Sequence, residues 1–489
     1  MNKILEYSAL ELANKIKSSE LSSVEVVKAH IDQIEKVNPA LNAVVEKCYD
    51  EALKEAELID SKKSGHDHSP LTGVPFTMKE MFTVKGLHHT LGSIHKKDQM
   101  ASADATVVSR LKEAGAILIG TTNVAELGFW FECSNKVYGQ TNNPHDLGRT
   151  SGGSTGGEGA IIGAGGSPFG IGSDIGGSIR MPAAFCGIFG HKSTHKLVPM
   201  TGHPPIYPGE AEKYAGKEYP MTAAGPMCRR ATDLLPILNI IKGRDFIDPE
   251  TVEHEFPPAL ANHKKLKVYI LKNPTIKGTS KTEPCLQEAC EKVGKYFEQI
   301  GSHVEELDQK IFFNAFQNWS ARMAEVDIRT FEEALNPNEK INYFSEFTKF
   351  FFGQANYTFP SLVSGLLERN MDKNSLFFRE QRKKSLQELS EIQNRLEKIL
   401  GSNGIIVMPT HPKRAPRHHA PILTPFDFIY TGVINALGFP ATTVPVGRAD
   451  GLPLAVQIVG APFQDHLTIS IAEHLEQVFG GWVKPAEEN

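Results

Sequence analysis

Residues 151–180 read SGGSTGGEGAIIGAGGSPFGIGSDIGGSIR, small residues punctuated by serines at 151, 154, 167, 173 and 178. Of the chain's 42 glycines, 15 fall between Gly148 and Gly190. Such density marks backbone that must come close to another group, because a residue without Cβ turns tightly and lets neighbours touch it. Three chemistries use segments of this kind. A phosphate cradle needs G-x-x-x-x-G-K-[ST], or G-x-G-x-x-G opening a helix after a strand. Here Gly170-x-Gly172 is followed by Gly176, one residue late. A nucleophile elbow is spelled by Gly152-Gly-Ser154-Thr-Gly156, but it needs an apolar strand directly before the serine. Residues 142–151 are polar and turn-forming instead. The third reading rests on Asp174-Ile-Gly-Gly-Ser178-Ile-Arg180, where adjacent glycines can aim consecutive N–H groups at one point and form an anion nest. A hydroxyl in such a nest puts a nucleophile beside an oxyanion site, where one donor is worth ~3 kcal/mol to an acyl-transfer transition state. Ser167 and Ser173 lack the paired glycines. Asp174 and Arg180 flank the turn as a scaffolding pair, since a guanidinium does not act as a base.

Around this segment, helical and strand patterns alternate. Gly73-Val-Pro-Phe-Thr-Met-Lys79 reads as a short buried strand delivering a lysine. Val107–Leu111 is helical, and Gly115-Ala-Ile-Leu-Ile-Gly120 is an apolar strand of the type buried on both faces of a parallel sheet. Helix then strand recurs at 286–305 and at 376–409, with Ile405–Met408 as the strand. That alternation predicts an α/β layered fold. At the start of the chain, Ser8–Glu11 and Ser22–Glu25 fit capping boxes. After the second, Val27, Ile31, Ile34 and Val37 form one apolar face, and Asn38-Pro39 is expected to end that helix. Residues 41–63 read as a further charged helix, so 1–65 is expected to be a pair of packing helices. Between 312 and 359, 13 of 48 residues are aromatic. Phe312, Phe313, Phe316, Trp319, Phe347, Phe350, Phe351, Phe352 and Phe359 fit either a helical core or a wall facing an acyl channel or a membrane.

Composition excludes several classes. Lys+Arg total 52 against 57 Asp+Glu, a net charge of −5, without the basic excess of a nucleic-acid-binding protein. The six cysteines are too sparse for a disulfide scaffold and none has C-x2-C spacing. There is neither a run of ~18 apolar residues nor an apolar signal-peptide core near Met1, so the expected location is cytoplasmic. His66-Asp67-His68, His88-His89 and His418-His419 lack H-E-x-x-H spacing and read as solvated, so no metal and no cofactor is expected. Lys413-Arg-Ala-Pro-Arg-His-His419 reads as a basic loop near a site mouth or a solvated face.

The segment 151–187 resembles the signature of the amidase signature family. Further matches surround it: Leu71-Thr-Gly-Val-Pro with Lys79, Arg110–Ala116 with Gly120-Thr-Thr-Asn123, Gly225-Pro-Met227, Gly438–Pro445 and Gly451–Gly460. Within the family, Cys133–Gln140 and Gly152–Gly159 look most like fatty acid amide hydrolases. The resemblance implies a large mixed central sheet covered by helices on both faces, in one domain over 1–489. Its parts would be an N-terminal helical segment 1–65, a signature core 71–228, a variable aromatic-rich substrate region 305–385 and a C-terminal core 405–475. It also implies a Ser–Ser–Lys triad and an acyl-enzyme. Ser178 would be the nucleophile, Ser154 the bridging serine reached through a cis peptide, and Lys79 the general base. Backbone N–H groups of Ile175, Gly176, Gly177 and Ser178 would form the oxyanion hole, and Asp174, Arg180 and Thr155 would support it. Gly128, Phe129, Phe131 and Ser154 would contact substrate.

The chemistry of the residues is consistent with that. A lysine must be neutral to accept a proton, and moving its pKa from ~10.4 to about 7 takes ~4–5 kcal/mol of desolvation and hydrogen bonding. Its neighbours Val74, Phe76, Met78, Met81 and Phe82 can supply a dry pocket. The expected substrate is a small-molecule amide or ester, with a long acyl chain favoured by Phe129-Trp-Phe131. Rival readings are the amidase subunit of a tRNA-dependent glutamine amidotransferase, a short-chain amidase, and a catalytically silent binding protein. Peripheral membrane contact and oligomer formation stay open. Three positions depart from the family pattern: Glu80 in place of Asp, Thr155 in place of a second serine, and His191-Lys-Ser193-Thr in place of Leu-Lys-Pro-Thr.

Overall fold

The apolar runs become strands of one eleven-stranded mixed sheet. In chain order these are β1 (Val44–Lys47), β2 (Pro75–Lys79), β3 (Ile117–Thr122), β4 (Phe169–Asp174), β5 (Phe189–Lys192), β6 (Ala223–Cys228), β7 (Lys267–Ile270), β8 (His303–Glu306), β9 (Gly404–Pro409), β10 (Ala441–Ala449) and β11 (Leu452–Val459). Across the sheet the order is β1-β3-β2-β4-β6-β5-β10-β11-β9-β7-β8. Strands β3, β2 and β4 run parallel, as do β9, β7 and β8, and antiparallel strands fill the middle. The computed structural model describes residues 2–62, 69–206, 221–257, 265–325, 330–337, 339–370 and 375–486.

Side chains alternate across each strand, so a sheet of apolar strands needs cover on both faces. Phe76, Met78, Leu118, Ile405 and Val407 pack into one cluster with the helices Ala9–Lys17, Thr106–Glu113, Leu234–Ile241, Pro284–Gln299 and Asp465–Phe479. Their neighbours turn the other way. Ile117 and Ile119 meet Ser23–Leu41, Tyr49–Ser61 and Gly156–Gly163, whereas Ile406 and Met408 meet Leu376–Leu400 and Ile429–Ala436. This is the α/β layering that the alternation predicts and the helix-covered mixed sheet that the family resemblance implies.

The N-terminal region differs from its reading in two respects. Both capping boxes form, but the second helix runs through Pro39 to Leu41. A proline in the last turn gives up only one helical bond, and the chain leaves through the left-handed Asn42. Residues 41–63 are then not one helix. Val44–Lys47 forms the edge strand on β3, and the helix begins at Tyr49. Asn38 causes the break: its Oδ1 accepts from the N–H groups of Ala43 and Val44, both at 2.8 Å. Tertiary pairing outweighs the helical propensity of the charged residues.

Of the histidines read as solvated, His89 departs from that expectation, whereas His419 is exposed. His89 is buried, with Nδ1 3.1 Å from the Glu80 carbonyl, and His88 binds Glu46. His66-Asp67-His68 lies outside the described residues. In the basic loop, Arg414 is ion-paired with Glu283 and Asp450. Among the described residues no helix is long and apolar enough to cross a membrane.

Ser22 anchors the N-terminus of the helix that covers Ile117 and Ile119, its Oγ accepting the Glu25 N–H at 3.0 Å. Ser22→Ala is expected to lower stability by about 1 kcal/mol, read as an earlier urea midpoint with unchanged slope.

Candidate active site

Strands β2, β3 and β4 are parallel neighbours, and ligands in such sheets collect beyond the carboxyl ends of the strands. Lys79 closes β2, and Ser173-Asp174 closes β4 beside it. The glycine turn 175–179 follows directly and leads into the helix Arg180–Cys186. The segment 151–155 comes from the other side and enters the helix Gly156–Gly163. Gly157 lets that helix sit on the end of β3, because a Cβ there would stand 2.5 Å from the Asn123 nitrogen. The peptide joining Gly153 to Ser154 is cis.

Lys79 is 1% exposed. Its Nζ lies 2.8 Å from Ser154 Oγ, 2.9 Å from Ser173 Oγ and 3.3 Å from the Ser173 carbonyl. Burial is the main influence on this amine and lowers its pKa to about 7, against the opposing pull of Asp174, Cys133 and Glu158. None of the three forms an ion pair with it. Asp174 is committed to Arg180. Burial pushes the Glu158 carboxyl up to about 8, where it bonds Thr77 and Thr122 at 2.6 and 3.0 Å. Burial likewise raises the Cys133 thiol to about 11. The lysine is thus an amine in a dry, nearly uncharged pocket, able to take up a proton near neutral pH.

Arg180 and Asp174 are fully buried and joined by two bonds of 3.0 Å. Burial alone would raise the Asp174 pKa, but the charge and hydrogen bonds of Arg180 outweigh it and hold the carboxyl at about 2. The guanidinium also donates to Gln457, Asn435 and the Thr431 carbonyl. The carboxylate in turn accepts the N–H groups of Gly177 (2.6 Å), Ile179 and Arg180. The glycine turn is therefore wrapped around an anchored carboxylate.

This wrapping sorts the four N–H groups expected to form the oxyanion hole. Gly177 gives its N–H to Asp174, and at φ +121° a Cβ would strike Thr431 Oγ1 at 2.0 Å. The N–H groups of Ile175, Gly176 and Ser178 have no acceptor among the described residues. All three residues line one cavity, and Gly177 does not. Three N–H groups without an acceptor, in residues that line one cavity, are able to receive an oxygen anion there.

That cavity has a volume of about 380 Å³. Gly128, Phe129 and Phe131 line it with Ser178, as read from the sequence. Ser154 lies behind Gly128, where a Cβ would come 3.4 Å from Ser154 Oγ. Ser154 and Ser178 share no side-chain hydrogen bond, but the Thr155 N–H donates to the Ser178 carbonyl at 3.3 Å and Thr155 Oγ1 to the Ser173 carbonyl at 3.3 Å. The aromatic segment divides. Phe312 is core; Phe316, Trp319 and Phe359 line the cavity; Phe344, Phe351 and Phe352 are exposed.

Sequence reasoning missed several residues. Ser173, set aside for want of paired glycines, binds the lysine with both its oxygens. Trp319, read from the sequence only as core or channel wall, also donates from Nε1 to the Ile175 carbonyl at 3.0 Å, steadying the turn. Glu126 accepts from Thr358 N–H and Oγ1, tying the pocket segment to the helix that begins at Phe359. Phe426 and Phe428 form a wall far away in sequence. None carries a local pattern, because each acts through contacts distant along the chain. Among the described residues no group of three or more His, Cys, Asp or Glu is arranged to hold a metal.

A sequence model of the Amidase family matches residues 25–469. Fatty-acid amide hydrolase 2-A of Danio rerio is 40% identical, over 99% of this chain and 91% of its own. A glutamyl-tRNA(Gln) amidotransferase subunit of Legionella pneumophila (strain Corby) is 31% identical, over 96% of this chain and 97% of its own. The fold matches that of 6-aminohexanoate cyclic dimer hydrolase with a TM-score of 0.81 and 23% identity, covering 99% of each chain. The protein is an amide-hydrolysing enzyme. It belongs to the Amidase family.

Two outcomes follow from the electrostatics. An amine that must be neutral to act gives activity that is lost as pH falls through about 7; kcat/KM against pH is expected to show that acid limb. Arg180→Met strands a buried carboxylate and is expected to cost ~3–5 kcal/mol, measured by chemical denaturation.

Proposed function

We propose that this enzyme hydrolyses fatty acid amides, or related lipophilic amides and esters, through an acyl-enzyme on Ser178. The observation that carries the reading is the cavity at Ser178. Its described lining is Gly, Phe, Trp, Ile, Met, Pro, Val, Leu and Ser, with no charged side chain. Its volume lies in the usual range for small-molecule sites. Such a wall suits an alkyl chain. It suits free glutamine poorly, because glutamine brings an α-carboxylate and an α-ammonium whose burial without partners is costly. The likeness to a fatty-acid amide hydrolase over 99% of the chain supports the same choice.

In the proposed sequence, neutral Lys79 takes a proton from Ser154 as Ser154 takes one from Ser178. Ser178 Oγ then bonds to the carbonyl carbon, and its oxygen becomes an anion held by the N–H groups of Ile175, Gly176 and Ser178. The C–N bond breaks as the relay returns the proton to the leaving nitrogen, which departs as a neutral amine. Water loses a proton to the same relay, adds to the acyl carbon and releases the carboxylic acid, restoring Ser178. The exposed rings of Phe344, Phe351 and Phe352 would let the aromatic region meet a lipid surface from which such substrates partition.

Purified full-length protein is expected to hydrolyse an oleoyl amide with higher kcat/KM than acetamide; the reverse order would end the lipid reading. Ser178→Ala is expected to abolish fluorophosphonate labelling and lower kcat by ~10³-fold or more. Lys79→Ala is expected to lower kcat at pH 7 by ~10²–10⁴-fold.

A further inference from the structure

His203 lies in the turn after β5, 3% exposed, its ring 4.9 Å from that of Phe82. Its Nδ1 is 2.8 Å from the Pro204 carbonyl oxygen. A carbonyl only accepts, so Nδ1 carries a proton. Burial, then the nearby Lys79, hold the imidazole at about 3, so the ring is neutral and Nε2 is bare. Nε2 lies 2.8 Å from Ser173 Oγ. A bare nitrogen can only accept, and Ser173 has a single hydroxyl proton, which goes to His203. Toward Lys79, Ser173 Oγ then offers only lone pairs, as does the Ser173 carbonyl. A neutral amine has two N–H groups and one lone pair. Ser173 takes both N–H groups, and the remaining neighbour is Ser154 Oγ.

We propose that His203 is a positioning residue that fixes the direction of the Ser173 hydroxyl and so leaves the Lys79 lone pair to Ser154. The inference deepens the serine–serine–lysine reading above and rests on it. Without an acceptor at 203, the Ser173 hydroxyl can turn and donate to the amine, which ties the lone pair to a serine outside the relay. That has two effects. Fewer molecules hold the productive arrangement, so kcat falls. A serine that accepts from the lysine favours ammonium and one that donates favours amine, so the acid limb moves to lower pH. The other titratable groups facing Lys79 are Asp174, Glu158 and Cys133, and His89 faces His203. Replacing the neutral imidazole changes the charge of none of them.

The test compares His203→Phe, which keeps a ring against Phe82 but offers no acceptor, with His203→Gln, whose amide oxygen can accept. With an oleoyl amide, H203F is expected to lose about ten- to a hundredfold in kcat, part of the ~10²–10⁴-fold of a positioned acid–base group. KM should stay within about twofold, the acid limb should move to lower pH, and H203Q should recover most of kcat. An H203F enzyme with wild-type kcat and limb overturns the proposal. So does equal impairment of both variants with an unmoved limb, which is the mark of a merely structural residue. Should H203F fail to fold, 15N spectroscopy of histidine-labelled wild type decides, with His203 assigned by its loss in H203Q. The Nδ1–H tautomer supports the proposal, and the Nε2–H tautomer overturns it. A wild type that neither takes the fluorophosphonate nor turns over overturns the serine reading and this inference together. A labelled, active wild type beside an unaffected H203F overturns this inference alone.

Discussion

Everything at this site depends on keeping one amine dry. Lys79 sits at the end of a strand whose five residues are all buried, and water is what would hold a proton on it. Burial lowers its pKa to about 7 only because no carboxylate is free to pair with it. The two acidic groups within electrostatic reach are occupied: Asp174 by Arg180, and Glu158 by two threonine hydroxyls and its own raised pKa. Had either been free, the ion pair would have kept the lysine charged.

The Arg180–Asp174 pair has a second role. A buried ion pair contributes little to stability by itself, but this carboxylate organises the turn that follows β4. By accepting from Gly177, Ile179 and Arg180 it gives the glycine segment one shape, in which Ile175, Gly176 and Ser178 line the cavity and their N–H groups have no acceptor among the described residues. The same charge pair therefore neutralises the surroundings of the lysine and orders the donors across from it. The wall beyond is assembled from four separate stretches of chain, around Phe129, Trp319, Phe359 and Phe428. Its size and chemistry are a product of packing, and Ser178 forms part of the lining.

Much of this was legible in the chain itself. Apolar runs of four to six residues separated by amphipathic helices define an α/β sheet, because alternating strands must be covered on both faces. Glycine density marks the turn, since only residues lacking Cβ fit where Gly177 meets Thr431 and Gly157 meets Asn123. Lys79, Ser154, Ser178 and the pocket residues Gly128, Phe129 and Phe131 were legible through their resemblance to a family pattern, and the structure brings them to one place. The N-terminal strand Val44–Lys47 was not legible, because its residues Val-Val-Glu-Lys suit a helix equally and only pairing with β3 decides between them.

The sequence by itself determined the alternation of strands and helices and the glycine turn, because these are encoded by local periodicity and residue type; the candidate serines and lysine came from its resemblance to a family pattern. Only the tertiary structure decided which N–H groups stay free, which carboxylates are already occupied, and that Ser173 and His203 stand beside the lysine. Apart from the local Asp174–Arg180 pair, these are relations across long stretches of chain: Ser173 and His203 are 30 positions apart, Glu158 and Thr122 are 36, and Ser173 and Lys79 are 94. Hydrogen-bond direction and desolvation belong to the arrangement of neighbours, and no run of adjacent residues contains them.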